Sequence, residues 1–330
     1  MKIAINGFGR IGRAAFKIAL EKNIEIVAIN DLVDTKSLVT LLKFDSVYGR
    51  YDKKIQAGDR EIMIDNKRIE ILAEKDPQKL PWKELEVDVV LECTGFFRDK
   101  KSAEKHIQAG AKKVIISAPA KGEGINTYII GVNEEKYEKE DIIDNASCTT
   151  NCIAPIVKMV NDLFGVEKAM MSTIHAYTAD QNLVDGPHKD MRRARSAGIN
   201  IIPTSTGAAK ATIKTIPGLE DKFYGMAIRV PVACGSLADI TFITKNNTTK
   251  EEVIDAFKNL RNDPVLSKIL MLSDDPIVSS DIIGTTYSAI IDLPLIQVVG
   301  GNLVKIIAWY DNEWGYANRL VEMAETICIN

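Results

Sequence analysis

The first half of the chain alternates short apolar runs with stretches of helical spacing. Residues 3–5 read as a strand. Residues 12–21 read as a helix, with Ala14, Ala15, Ile18 and Ala19 along one side. Residues 25–29 predict a second strand. Residues 88–93 and 113–116 predict buried parallel strands, with residues 102–109 as the crossover helix between them. This order predicts an α/β domain, a Rossmann-type parallel sheet covered on both faces. Beyond Cys148 the pattern changes. A helix over about 150–163 precedes longer strands without helical crossovers, at 169–175, 226–231 and 237–244. Residues 297–299 and 303–309 flank Gly300-Gly301-Asn302 as a hairpin. Thr249 and Glu252 form a capping box that opens a helix ending near Leu260. This half is expected to be α+β with a largely antiparallel sheet. Residues 179–199 read as a long structured loop, and residues 314–329 as a closing amphipathic helix.

A length of 330 residues predicts two domains, and 46% hydrophobic residues suffice for two cores. The boundaries are expected at 1–147 and 148–312, with a terminal helix over about 313–330 packing back on the first domain. The net charge of −3 predicts no general attraction to nucleic acid or anionic membrane. Five cysteines without paired spacing argue against a disulfide framework, and three histidines make a zinc site unexpected. The first residues lead straight into a strand, so no signal peptide is expected, and no apolar stretch reaches membrane-spanning length. A reducing cytoplasm is the expected compartment.

Two motifs carry chemistry. Asn6-Gly7-Phe8-Gly9-Arg10-Ile11-Gly12-Arg13 contains G-x-G-x-x-G between a strand and a helix. Gly7 would make the tight turn, Gly9 would admit a pyrophosphate, and Gly12 would let helix and strand approach. Asp31, at the end of the next strand, would hold the adenosine ribose hydroxyls and repel a 2′-phosphate, which favours NAD over NADP. The alternative for Asp31 is a helix cap or a turn acid. The second motif is Ser147-Cys148-Thr149-Thr150-Asn151-Cys152, with His175 downstream. A cysteine at a helix start is expected to have a lowered pKa and to act as a nucleophile, with His175 completing its activation. Cys152 reads as a buried small hydrophobe, and Cys93, Cys234 and Cys328 as packing residues. His106 lies in a charged helix and reads as a surface residue.

These motifs, with Ser117-Ala118-Pro119-Ala120-Lys121, the run from Ile202 to Lys210 and Trp309-Tyr310-Asp311-Asn312-Glu313-Trp314-Gly315-Tyr316, closely resemble the phosphorylating glyceraldehyde-3-phosphate dehydrogenases over essentially the whole chain. The resemblance implies that Cys148 attacks an aldehyde to give a thiohemiacetal and then a thioester, which phosphate resolves to an acyl phosphate. It implies His175 as general base and the Cys148 N–H as an oxyanion donor. Thr149, Thr206, Gly207 and Arg229, beside Ser147, would form one phosphate pocket. Thr178, Asp180 and an arginine of Arg192-Arg193-Ala194-Arg195 would form the other, with Arg193 preferred and Arg195 kept. Implied cofactor contacts are Asn6, the Arg10 and Ile11 N–H groups, Lys75, Thr94, Gly95, Ser117, Asn312 and Tyr316. Leu32 and Pro187 match the NAD-preferring pattern. The long loop resembles an intersubunit loop, which implies a homotetramer. Residues 232–237 depart from the commoner family pattern and are not expected to touch the chemistry. Three other readings stand beside this one. They are a hydrolytic relative acting on erythrose 4-phosphate, an RNA-binding or redox-sensing role, and an aspartate-semialdehyde-type reduction.

Overall fold

Isoleucine- and valine-rich runs form the centre of a nine-stranded sheet in the first of two units. Its spatial order is Asn126–Thr127, Ile142–Asp144, Lys113–Ile116, Val89–Glu92, Lys2–Asn6, Glu25–Asn30, Lys67–Leu72, Glu61–Ile64 and Ile55–Ala57. Pairing is parallel from Asn126–Thr127 to Lys67–Leu72 and antiparallel beyond it. Lys2–Asn6 lies between Glu25–Asn30 and Val89–Glu92, so the chain order reverses at its C-terminal end. Ligands of open parallel sheets bind at such a reversal. The computed structural model describes residues 1–329. Its first unit comprises Met1–Tyr128, Glu134–Ala146 and the stretch from Ala317; the second comprises Ile129–Asn133 and Ser147–Tyr316. Asn330, the last residue of the expected domain, lies outside the described residues.

The second unit is built on an eight-stranded sheet with the order Ile202–Ser205, Phe223–Val230, Val166–Ala176, Ser236–Thr244, Leu303–Tyr310, Ala289–Asp292 and Leu270–Ser273, with Gln297–Val299 paired to Leu303–Tyr310. Pairing is antiparallel except for Val166–Ala176 with Phe223–Val230 and Leu270–Ser273 with Ala289–Asp292. The α/β class with a mostly parallel first sheet and a mostly antiparallel second sheet therefore agrees with the sequence pattern.

Element bounds differ from expectation at the site. The long helix runs Cys148–Phe164, starting two residues before the expected 150, so Cys148 is its first residue. Ser147 is extended and caps it, its Oγ accepting from Thr150 N at 3.2 Å. Ala146, just before the cap, sits at φ 54, a left-handed conformation that costs a non-glycine residue energy. Sequence pattern missed the strand Ile202–Ser205 and the helices Thr35–Lys43 and Ala208–Thr215. Two packing expectations are also corrected. His106 is fully buried in the helix Lys100–Gln108, and Cys328 is exposed. The helix bearing His106 turns that position onto Trp82 and Glu92, and so hides it despite its charged neighbours.

Candidate active site

Register brings the chemistry of the second unit together. His175 stands opposite Arg229 in the parallel pair, and Arg229 stands opposite Ile202 in the antiparallel one. The alternation of Val166–Ala176 puts Thr173 and His175 on one face. His175 Nε2 lies 3.4 Å from Cys148 Sγ. Its Nδ1 lies 2.7 Å from the Ala176 carbonyl oxygen, which can only accept. Arg229 Nη1, a donor only, also lies 3.1 Å from Nδ1, but the 2.7 Å contact to the carbonyl is the shorter, so Nδ1 carries the proton and the Nε2 lone pair faces the thiol, the tautomer a base needs. Arg229 Nη1 donates to the same carbonyl and to Thr178 Oγ1, each at 3.1 Å.

The electrostatics reverse one expectation. Burial pushes the Cys148 thiol above its ordinary value. The Arg229 charge, the Thr149 hydroxyl and the N–H groups of Thr149 and Cys148 oppose this without overcoming it. The helix start alone therefore does not leave a free thiolate. The Cys148 N–H, expected as an oxyanion donor, also favours negative charge on its own sulfur. Burial first, and then Arg229, hold His175 down to about 3. The resting pair is a neutral thiol beside a neutral imidazole. Arg229 favours charge on sulfur and opposes it on the ring.

The expected phosphate residues divide. Thr178 Oγ1 donates to Asp180, and Asp180 pairs with Arg193. Arg193 Nε also donates to Thr204 Oγ1 at 2.9 Å, and its Nη2 to the Ser205 carbonyl at 3.1 Å. Burial pushes the Asp180 carboxyl up, but Thr178, Arg193 and Arg229 together carry it below its ordinary value. Arg229, Thr178, Asp180 and Arg193 thus form one connected cluster beside His175. Arg195 does not join it; its Nε donates to exposed Asp185 at 2.8 Å. Two hydroxyls are already engaged. Ser147 caps its helix, and the buried Thr149 Oγ1 lies 2.9 Å from the Tyr310 hydroxyl. Thr206 Oγ1 accepts from Ala208 N at 3.2 Å, and a Cβ on Gly207 would meet open space at the start of Ala208–Thr215.

Tyr310 was missed from sequence. Its hydroxyl also lies 2.8 Å from Thr173 Oγ1, and its ring meets His175 edge-to-face at 5.9 Å. The two-residue spacing of Thr173 and His175 was the available signal. Residues 232–237 do reach the site, which corrects the expectation. Ser236 Oγ accepts from Ala176 N at 3.1 Å and donates to Asn312 Oδ1 at 2.8 Å. Gly235 N also donates to that oxygen, at 3.2 Å. Asn312 is thereby fixed with its Oδ1 held by the chain. Tyr316 is buried.

The first unit gathers the glycine motif. Gly7 has φ 94, and a Cβ there would come within 2.7 Å of Thr94 N; one on Gly12 would lie 2.1 Å from Gly7 O. A Cβ on Gly9 would meet nothing within 4 Å. The helix Arg10–Glu21 has no side-chain cap and no acidic residue in its first turn. A helix start without an acid in its first turn, and with open space at Gly9, fits the pyrophosphate of a dinucleotide. Asp31 accepts from Phe8 N at 2.7 Å and from Val33 N at 3.0 Å. It therefore ties the motif to the end of the next strand. Asn6 ends Lys2–Asn6, and Ser117 N donates to the Glu92 carbonyl at 3.0 Å. Thr94 and Gly95 follow Val89–Glu92, and Lys75 is exposed. Among the described residues, no group of His, Cys, Asp or Glu could hold a metal ion, and no helix is long and apolar enough to cross a membrane.

Comparison with known proteins matches residues 1–100 to the family model for the glyceraldehyde 3-phosphate dehydrogenase NAD binding domain, and 147–312 to that for the C-terminal domain. The glyceraldehyde-3-phosphate dehydrogenase of Thermotoga maritima is 53% identical, covering 99% of this chain and 98% of its own. The enzyme of that name from Streptomyces coelicolor is 51% identical over 98% and 97%. That of Borreliella burgdorferi is 49% identical over 99% of each.

Proposed function

The chain belongs to the glyceraldehyde 3-phosphate dehydrogenase family, and from that premise we propose that it reversibly oxidises and phosphorylates D-glyceraldehyde 3-phosphate with NAD. The observation that carries this reading is the Cys148–His175 contact of 3.4 Å, with the ring tautomer pinned by Ala176. Cys148 Sγ attacks the aldehyde carbon while His175 Nε2 takes the thiol proton. Arg229 balances the charge that develops on sulfur. NAD would be held by Gly7, Gly9, Gly12, the Arg10 and Ile11 N–H groups, Asp31 and the ends of neighbouring strands, and would supply the hydride acceptor. Cys148 keeps the acyl group as a thioester. Phosphate bound near Thr178, Asp180, Arg193 and Arg229 attacks that carbon, and Cys148 leaves as the thiolate. Thr206 and the open Gly207 N-terminus are assigned to the second phosphate group.

We assign cofactor binding to residues 1–147 and catalysis to residues 148–312. The terminal helix, over about 313–330, returns to the first domain, supported by the Lys22–Glu325 contact of 3.0 Å. Five free cysteines support a reducing cytoplasm. On the long loop and just past it, Leu183, Val184, Met191, Ile199 and Ile201 are 71 to 81% exposed, and this apolar surface supports a homotetramer. Light scattering at assay concentration gives the mass; a monomer would sink that assignment.

The test of function is NADH formation from glyceraldehyde 3-phosphate with and without inorganic phosphate, with the acyl phosphate trapped by hydroxylamine. Equal turnover without phosphate, yielding the free acid, would instead identify the hydrolytic chemistry. The two arginines separate in the same assay. Arg193→Ala is expected to raise KM for phosphate about tenfold or more, because a charge-assisted contact is lost. Arg195→Ala is expected to stay within about twofold, as exposed ion pairs contribute little. The opposite ranking would move the phosphate contact to Arg195.

A further inference from the structure

The first unit contains a buried carboxylate that the reaction does not use. Glu92 is 1% exposed and His106 0%. Glu92 Oε2 accepts from Asn6 Nδ2 at 2.5 Å and lies 3.2 Å from His106 Nε2. Its Oε1 accepts from Thr94 N at 2.8 Å and from the Thr94 hydroxyl. The direction of every bond is determined. Trp82 Nε1 can only donate, and it lies 3.0 Å from His106 Nδ1. Nδ1 must therefore be bare, so Nε2 carries the proton and donates to Glu92. At the other end, Glu74 N donates to Asn30 Oδ1 at 2.9 Å, which fixes the Asn30 amide. Asn30 Nδ2 then donates to Asn6 Oδ1 at 2.7 Å and to the Glu74 carbonyl at 2.9 Å. Asn6 is left with its Nδ2 toward Glu92. Four donors converge on one carboxylate, filling its acceptor sites, so an ionised Glu92 is satisfied without a cation.

These contacts join the C-terminal ends of four parallel strands: Asn6 of Lys2–Asn6, Asn30 of Glu25–Asn30, Glu74 just past Lys67–Leu72, and Glu92 with Thr94 from Val89–Glu92. Each end leads directly into an element assigned to the cofactor: Gly7, Asp31, Lys75 and Gly95. We infer that Glu92 and His106 are positioning residues for the dinucleotide, holding the four strand ends at one spacing without touching the ligand. This rests on the NAD reading above. A glutamine at position 92 has one acceptor oxygen and one donor nitrogen. Its amide would face a donor on one side, and either Thr94 or Asn6 would have to move.

The test is calorimetric titration of NAD into the full-length protein and the variants Glu92→Gln, His106→Leu and His106→Gln. Glu92→Gln and His106→Leu are expected to raise the NAD Kd about tenfold. His106→Gln keeps a donor near the Nε2 position and is expected to remain within about threefold of wild type. The rate of Cys148 alkylation by iodoacetamide without NAD should be the same in all four proteins, because the effect acts through cofactor binding alone. Wild-type affinity in folded Glu92→Gln and His106→Leu overturns the inference. If Glu92→Gln fails to fold, the two His106 variants decide, and equal affinity between them overturns it. Absence of NAD binding by the wild type would instead defeat the functional reading itself.

Discussion

Cys148→Ser is expected to lose about 10⁴-fold or more in kcat for NADH formation, the scale on which removing a covalent nucleophile acts. Replacement of sulfur by oxygen leaves the helix cap at Ser147 and the Tyr310 contacts in place, so the fold should survive. What changes is proton chemistry. The thiol is already pushed up by burial, and it reaches thiolate with help from Arg229, Thr149 and two N–H groups. A hydroxyl starts several pK units higher and faces the same weak base, since His175 is held down to about 3. An oxygen ester would also hold its acyl group more firmly than the thioester against phosphate. Steady-state assays, with mass spectrometry of the acylated intermediate, check this. A serine variant within tenfold of wild type, or an acyl group found away from Cys148, would remove the mechanism.

His175→Asn is expected to lower kcat about 10²- to 10⁴-fold, the usual contribution of a positioned base. The asparagine amide can reach toward the Ala176 carbonyl but offers no basic nitrogen to Cys148 Sγ. The same residue sets an acid signature. Its folded pKa of about 3 lies below its unfolded value, so the unfolded chain takes up the proton first. Stability is therefore intact above about pH 6.5 and falls as pH drops toward 3, by at most about 1.4 kcal/mol per pH unit for this one proton. In His175→Asn that contribution disappears. Urea unfolding at pH 7.5 and pH 5 should show a smaller acid loss in the variant than in wild type. Equal losses would mean that the histidine is not buried neutral.

The sites legible in the sequence were those whose meaning is local. Gly7 is demanded by its φ of 94, and Gly12 by the Gly7 carbonyl five positions before it. The Thr249 cap and the Gly300-Gly301 hairpin are likewise short-range. Cys148 and His175 stood out by residue type and by the motifs around them. What was not legible depended on partners far along the chain. Thr149 meets Tyr310 across 161 positions, and Asn6 meets Glu92 across 86. Neither pairing leaves a periodic trace. His106 illustrates the reason. Charged neighbours suggested solvent, while the helix orientation places that one position on Trp82 and Glu92.

The sequence by itself determined the family, the two kinds of sheet and the glycine turn, and it nominated Cys148 and His175 as the proposed nucleophile and base, because each is written in residue types at short spacing. Tertiary structure separated Arg193, already preferred, from Arg195 by joining only the former to the Arg229 cluster, and it alone decided that Ser147 and Thr149 spend their hydroxyls on the fold and that Ser236 ties Ala176 to Asn312. It also decided the direction of the thiol. A helix start argues for a lower pKa, but desolvation is a property of everything packed around the sulfur, and only the folded chain specifies that.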